Sequence, residues 1–391
     1  MMTGLLLQPR IMRWYWGWSP PPLGLLSMAA SAPCTVVADC AQEGRDEADV
    51  LDEYRPDIVG VTAFTSTRHE ALEVLRQAKA RGSQTVLGGP HVSARNIAEQ
   101  IAANYPFVDH IVRGDGEAAW RRIVAGEPAP RVSLEYLPDL DLLPVPAWDA
   151  VDVLAYEPRD AGIHHNVDVE QTPRISLVVS RGCPGRCGFC RAWKRPIRRH
   201  SAEWVERALA PLAAMGVRHI CLDDDCWATD VQNAVAICDV LHRLGFVWQA
   251  TTRADLITPD LAEYMADSGC WKVAVGLESG SPHVLDLIGK NLDLAAVLEA
   301  RRACWDAGLR FVALTMTGYP GETEADREEH AAFLGALDPD ETGTFGATII
   351  LPGTRLYSEA VAAGQVTDDV WLGPGRHLIA TPEGPKMWGE G

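Results

Sequence analysis

Three cysteines crowd into Ser180-Arg181-Gly182-Cys183-Pro184-Gly185-Arg186-Cys187-Gly188-Phe189-Cys190, spaced C-x3-C-x2-C in a glycine-rich stretch. Thiolates so spaced can hold a cubane [4Fe–4S] cluster, and three ligands leave one iron open to an outside chelating group. The competing chemistry is a structural zinc loop. Zinc asks for a fourth thiolate or imidazole, which His200 could supply, although structural sites usually pair C-x2-C units.

Such a loop needs a strand to present it. ISLVVS (175–180) immediately precedes the triplet, and HICLDD, WQATTR, KVAVGL, FVALTM and FGATII follow as further strand candidates, separated by helical patterns. Six strands predict a partial βα barrel, because a complete eight-stranded one typically needs about 250 residues. In barrels of this kind function sits where strands end. There the chain carries Leu222-Asp223-Asp224-Asp225-Cys226-Trp227, Thr252-Arg253-Ala254-Asp255, Gly276-Leu277-Glu278-Ser279-Gly280-Ser281, Gly318-Tyr319-Pro320-Gly321-Glu322-Thr323 and Leu351-Pro352-Gly353-Thr354. Three of them have a plainer reading. The aspartate run would cap the next helix, Arg253 would form a surface salt bridge, and Thr323 would be a helix cap.

Upstream, GLLLQ, CTVVAD, DIVGVTAF, QTVLGG and HIVRG alternate with amphipathic segments at 22–32, 47–54, 69–81, after Ser93 and from Glu117. That rhythm predicts a doubly wound parallel sheet, whose ligand sits at the carboxyl ends of the strands. The loops there hold Thr65 and Ser66, Gly88 and Gly89, and Gly114 and Glu117, which are the candidate ligand-binding positions. The aromatic run Trp14-Tyr15-Trp16-Gly17-Trp18 falls in the loop after the first strand, where it lines a ligand or fills space. The expected architecture is therefore α/β: a Rossmann-like domain at 1–125, a proline- and aspartate-rich surface linker at 126–172, a six-stranded partial barrel at 173–365 and a patternless tail at 366–391.

The cysteine triplet, with Phe189 before its last member, resembles that of the radical S-adenosylmethionine (SAM) superfamily, whose loop likewise follows the first strand of a six-stranded partial barrel. The resemblance implies that Cys183, Cys187 and Cys190 bind the cluster and that SAM chelates the open iron. Reductive cleavage of SAM then yields a 5′-deoxyadenosyl radical that abstracts hydrogen from carbon. By the same resemblance Phe189, Asp224, Asp225, Arg253, Glu278 and Ser279 contact the cofactor, with the aspartates receiving the SAM amino group and Glu278 the ribose hydroxyls. Cys34, Cys40, Cys221, Cys238, Cys270 and Cys304 lack ligand spacing and read as core residues, whereas Cys226 falls at the SAM pocket.

A doubly wound domain ahead of such a barrel is similar to the cobalamin-binding branch of that superfamily, over about residues 4 to 360. Pro20-Pro21-Pro22-Leu23-Gly24 and the GGPH and RGDGE loops match it in kind. No D-x-H-x-x-G segment supplies a histidine ligand to cobalt, and His69 is expected to start a helix and face solvent.

Composition narrows the partners. With 35 Lys+Arg against 53 Asp+Glu the formal charge is −18, which repels nucleic acid and acidic membranes. The start MMTGLLLQPRIMRW is too broken for a signal peptide or anchor, so ten cysteines point to a reducing cytoplasm. The expected partners are a small-molecule substrate and an external electron donor such as flavodoxin or ferredoxin. The resemblance implies a cobalamin-dependent C-methyltransferase of specialised metabolism. Its alternatives are cobalamin-independent dehydration, decarboxylation or epimerisation of a sugar or nucleoside, with a vestigial first domain, and a sensor that binds without turnover.

Overall fold

The computed structural model describes residues 2–10, 20–156, 173–192, 196–381 and 384–388. The aromatic run at 14–18 lies outside them. Two compact units emerge: Met1–Arg159 with Val366–His377 and Gly389–Gly391, and Asp160–Gln365 with Leu378–Trp388.

In the first unit, β1 (Gly4–Gln8), β2 (Thr35–Asp39), β3 (Ile58–Thr62), β4 (Gln84–Gly88), β5 (His110–Gly114) and β6 (Val132–Glu135) form one parallel sheet in the order β2-β1-β3-β4-β5-β6. The central strands read as unbroken apolar runs because both faces are covered: Leu5, Leu6, Leu7, Ile58 and Val59 are fully buried. Helix Arg68–Ala80 buries Ala71, Leu72, Val74, Leu75 and Ala78, the spacing of one helical face. Gly60 makes room for the neighbouring side chains, since a Cβ there would lie 2.8 Å from both Leu6 and the Trp120 ring.

Three local expectations change. Strand β6 lies within 126–172, where a surface linker was expected. It is a four-residue edge strand with no alternation of burial, so its sequence carries no strand signal. Residues 136–156 of that segment do wrap the unit: Tyr156 Oη donates to Asp39 Oδ2 at 2.9 Å, and Trp148 is buried. Residues 366–377, expected to be patternless, pack on the first unit through Arg68. Its side chain is 1% exposed and donates to the carbonyls of Thr65, Trp371, Gly373, Gly375 and Arg376 at 2.6–3.3 Å. All five guanidinium N–H groups are used. His69, expected to face solvent, is half-buried beside Gly375 and Arg68, and burial lowers its pKa.

In the second unit, β7 (Arg174–Leu177) is followed by a two-residue pair, β8 (Ser180–Arg181) with β9 (Arg198–Arg199). Then come β10 (His219–Leu222), β11 (Val247–Thr252), β12 (Cys270–Glu278), β13 (Arg310–Thr317) and β14 (Glu341–Ala347). They make a six-stranded parallel sheet, β14-β13-β12-β11-β10-β7. The last strand starts four residues before the apolar run that suggested it. Short polar side chains start the intervening helices: Ser201, Asp230, Thr258, Asp293 and Thr323 each accept a hydrogen bond from a first-turn amide. Strands β15 (Ile349–Ile350), β16 (His377–Ile379) and β17 (Lys386–Trp388) add a small sheet, so part of the segment expected to be patternless forms strands.

Candidate functional site

The loop after β7 is fixed from below by the aspartate run after β10. Asp223 accepts from the Ser176 hydroxyl, Asp224 from Val179 N at 2.7 Å and the Ser180 hydroxyl at 2.5 Å, and Asp225 from Gly182 N at 2.8 Å. Neither Asp224 nor Asp225 caps the following helix, whose cap is Asp230. Asp224 is 5% exposed, and burial pushes its carboxyl up to about 7.

From above, the loop is held at Gly188. Its amide donates to the Ile288 carbonyl at 2.7 Å, and its carbonyl accepts from Leu356 N at 3.0 Å. A Cβ at 188 would stand 2.5 Å from Tyr319 Oη and 2.7 Å from Arg355 Nη2, so only glycine lets these neighbours close over the loop. Between the two braces lie the three thiols, which among the described residues are not drawn together into a three-ligand metal group. Cys183 and Cys187 Sγ lie 3.4 and 3.8 Å from the position of a Cβ on Gly185. Cys190 acts electrostatically on Cys187 and closes the turn with its amide on the Cys187 carbonyl at 3.1 Å. Backbone amides point at sulfur: Gly185 N at Cys183 and Ala192 N at Cys190, each at 3.4 Å. Phe189 is half-buried inside that turn.

The donor chemistry fits an iron–sulfur cluster. Three thiols in one loop, amide donors to sulfur and two nearby cations are what a thiolate-held cluster requires. The Cys183 thiol is held well below its ordinary value, chiefly by the adjacent Cys226, while burial raises Cys187 and Cys190. His200, the imidazole a zinc site would recruit, is instead buried and stacked on Trp204 at 3.4 Å between ring centres.

Around the triplet lie the other expected residues. Arg253 forms a two-pronged pair with Asp255 at 2.8 and 2.9 Å and donates to the Asn291 carbonyl at 2.7 Å. Its charge also acts on Cys183. Glu278 ends β12 at a register irregularity against β13, with φ at +66°, a strained conformation for a non-glycine residue. Its carboxylate accepts from Lys290 Nζ at 2.9 Å. Ser279 is buried, its hydroxyl accepting from Ser281 N at 3.1 Å. Ser281, Thr323 and His283 converge on Asp326, tying this segment to the start of helix Glu324–Leu337.

Lys290 and Arg355 were not singled out from the sequence, and Tyr319 stood in the Gly318–Thr323 motif without a role of its own. The signal for Lys290 would have been its position directly after Gly289, which ends helix Pro282–Ile288 at φ +73°.

In the first unit the candidate residues share the carboxyl end of the sheet. Thr65 and Ser66 are buried, with Thr65 Oγ1 3.3 Å from His91 Nδ1. Gly89, at φ +97°, turns the chain where a Cβ would meet Ala63 backbone at 2.7 Å. Gly88 is open, its nearest neighbour 3.9 Å from an added Cβ. Gly114 has φ +95°, and Glu117 starts helix Glu117–Val124 with a buried side chain. The sheet order reverses at β1/β3, so the Thr65–Ser66 loop after β3 flanks the crevice that such sheets offer to a ligand, and the Gly88–Gly89 and Gly114–Glu117 loops follow the next two strands, β4 and β5. An open glycine edge beside that crevice fits a large cofactor approaching the backbone.

A parallel half-barrel with a thiol triplet after its first strand, and a doubly wound unit before it, defines a radical SAM protein. Residues 177–334 match the radical SAM superfamily and residues 19–124 the B12 binding domain. The chain thus carries a radical SAM domain behind an N-terminal B12-binding domain. It is 27% identical over 379 residues to an uncharacterised methyltransferase of Pyrococcus horikoshii, covering 88% of this chain and 80% of that protein. Among solved structures, the radical SAM methyltransferase TsrM from Kitasatospora setae, with cobalamin and a [4Fe–4S] cluster bound, superposes with TM-score 0.73 at 18% identity, covering 93% of this chain and 75% of that one. OxsB, a cobalamin-dependent SAM radical enzyme with aqua-cobalamin and SAM bound, gives 0.77 at 17% identity, covering 97% and 64%. Among the described residues no helix is long and apolar enough to cross a membrane.

Proposed function

We propose that this chain is a cobalamin-dependent radical SAM methyltransferase that transfers a methyl group to carbon of a small molecule. The observation that carries the proposal is the placement of Cys183, Cys187 and Cys190 in one loop braced from both sides, in a chain that also matches the radical SAM superfamily and the B12 binding domain. When bound, a [4Fe–4S] cluster supplies the electron that cleaves SAM, and cobalamin supplies a methyl carrier.

The chain's own residues then have definite tasks. Cys183, Cys187 and Cys190 would hold the cluster, and the aspartate ladder keeps their loop in place. Arg253 and Lys290 offset negative charge beside the thiolates. Glu278 and Ser279, at the end of β12, would orient SAM together with Phe189 and the outer aspartate, Asp225. Asp224 has both carboxylate oxygens engaged by the loop, so its task is bracing. In the first unit Thr65, Ser66, Gly88, Gly89, Gly114 and Glu117 would line the cobalamin side. Residues 1–125 and 173–365 are taken as the two working domains. An external donor such as flavodoxin or ferredoxin would deliver electrons in the cytoplasm, and the acidic surface disfavours nucleic acid and membranes as partners.

The test is cofactor content after anaerobic purification and reconstitution with cobalamin supplied. About four irons and about one cobalt per chain are expected. Four irons without cobalt would replace methyl transfer by a cobalamin-independent radical reaction, and zinc in place of iron would overturn the reading.

A further inference from the structure

Next to the thiol triplet is a buried ion pair that neither the motif nor the fold requires. Lys290 and Glu278 have side chains 6% and 13% exposed, with Nζ 2.9 Å from Oε1. A buried pair of this kind contributes little net stability over an apolar substitute, so its presence calls for another role. Three features build it. The register irregularity and the positive φ at Glu278 set the end of β12. Gly276, two residues back on the same strand face, leaves the space: a Cβ there would lie 2.7 Å from Glu278 Oε1 and 2.8 Å from Lys290 Nζ. Gly289 stops the preceding helix so that the lysine turns inward. The same short segment holds the cysteine loop, through the Ile288 carbonyl on Gly188 N and the Asn291 carbonyl on Arg253. Lys290 is thus two residues from a direct contact with the residue after Cys187.

We propose that Lys290 is a positioning residue. Its ammonium fixes the Glu278 carboxylate at the end of β12 and places positive charge beside Cys187, so that both SAM affinity and the reduction potential of the cluster depend on it. This rests on the radical SAM reading. Positive charge beside a cluster favours the reduced state, and its removal lowers the potential. Losing the ammonium also frees the Glu278 carboxylate from its orienting partner, which weakens any bond that carboxylate makes to SAM.

The experiment uses full-length, anaerobically reconstituted protein in wild-type, K290M and K290R forms. Iron and sulfide are counted, the potential is read by EPR-monitored titration, and SAM itself is the binding probe. K290M is expected to keep its iron, bind SAM about tenfold or more weakly and show a lower potential. K290R is expected to restore both towards wild type. Wild-type affinity and potential in K290M, or K290R behaving like K290M, would overturn the proposal. If K290M loses its iron, K290R with full iron and wild-type potential supports the charge role, and loss of iron in both overturns it. A wild-type chain that takes up no iron would bring down the underlying radical SAM reading instead.

Discussion

In the first unit the loop after β3 is held by a buried cation, Arg68, which gives its five N–H groups to backbone carbonyls of Thr65 and of residues 371–376. In the second unit the loop after β7 is held by carboxylates, which collect backbone amides and hydroxyls from residues 176–182. The difference follows from what each loop leaves unsatisfied. A glycine- and proline-rich strap offers carbonyls in several directions, and only a guanidinium has enough donors in one plane to meet them. A loop that turns back on itself to gather thiols offers amides instead. The second solution places negative charge beside thiols that the proposed cluster would need as thiolates. Arg253 and Lys290 offset part of that cost, and Asp224 is driven toward its protonated form.

The largest expected effect lies at the thiols that the anionic brace supports. Cys183→Ala, Cys187→Ala and Cys190→Ala should each abolish retention of a four-iron cluster, checked by iron and sulfide analysis after reconstitution. A full cluster in any of the three would remove the purpose assigned to that brace. Next comes the cationic brace. Arg68→Ala strands several buried carbonyls and should cost about 3 kcal/mol or more. Urea unfolding would measure the loss, and limited proteolysis should cut first within 366–377.

Asp224→Asn tests the opposite sign. In the unfolded chain this carboxyl ionises near 3.8, and in the folded protein near 7. Between those values the folded state holds the extra proton, so stability present below about pH 4 is withdrawn as pH rises through 7. The asparagine variant should flatten that dependence by on the order of 1–3 kcal/mol, read from urea midpoints of the apoprotein between pH 4.5 and 7.5. The smallest effect is expected at the rim of the strap. Asn96→Ala removes an exposed 2.8 Å bond to Asp368 and should change stability by less than about 0.5 kcal/mol.

Much of this was legible in the residues, for identifiable reasons. Leu5–Leu7 and Ile58–Val61 are unbroken apolar runs because two layers cover them, and the β-rich runs of the second unit mark its strands in the same way. The thiol loop stands out in the sequence because three cysteines spaced C-x3-C-x2-C form a pattern that thiolate ligation of a cluster would demand. What stayed hidden was held by main-chain contacts. Residues 371–376 bury only one large side chain, Trp371, besides making their carbonyl bonds, so no hydrophobic period marks them. Arg68 stands where a solvent-facing helix residue would be equally at home. Strand β6 is too short and too exposed to alternate. The aspartate run was visible, but its use was not: only the fold shows that Asp224 reaches across to Val179 and Ser180 while Asp230 caps the helix.

The division of the chain also bears on the order in which it is made. Residues 366–377 complete the first unit, yet they leave the ribosome more than two hundred residues after Arg159. At the usual pace of bacterial or eukaryotic synthesis that delay is roughly ten to forty seconds. Through that interval the nascent sheet carries Arg68 without four of its five carbonyl partners, and the first-made unit is among the last to be finished.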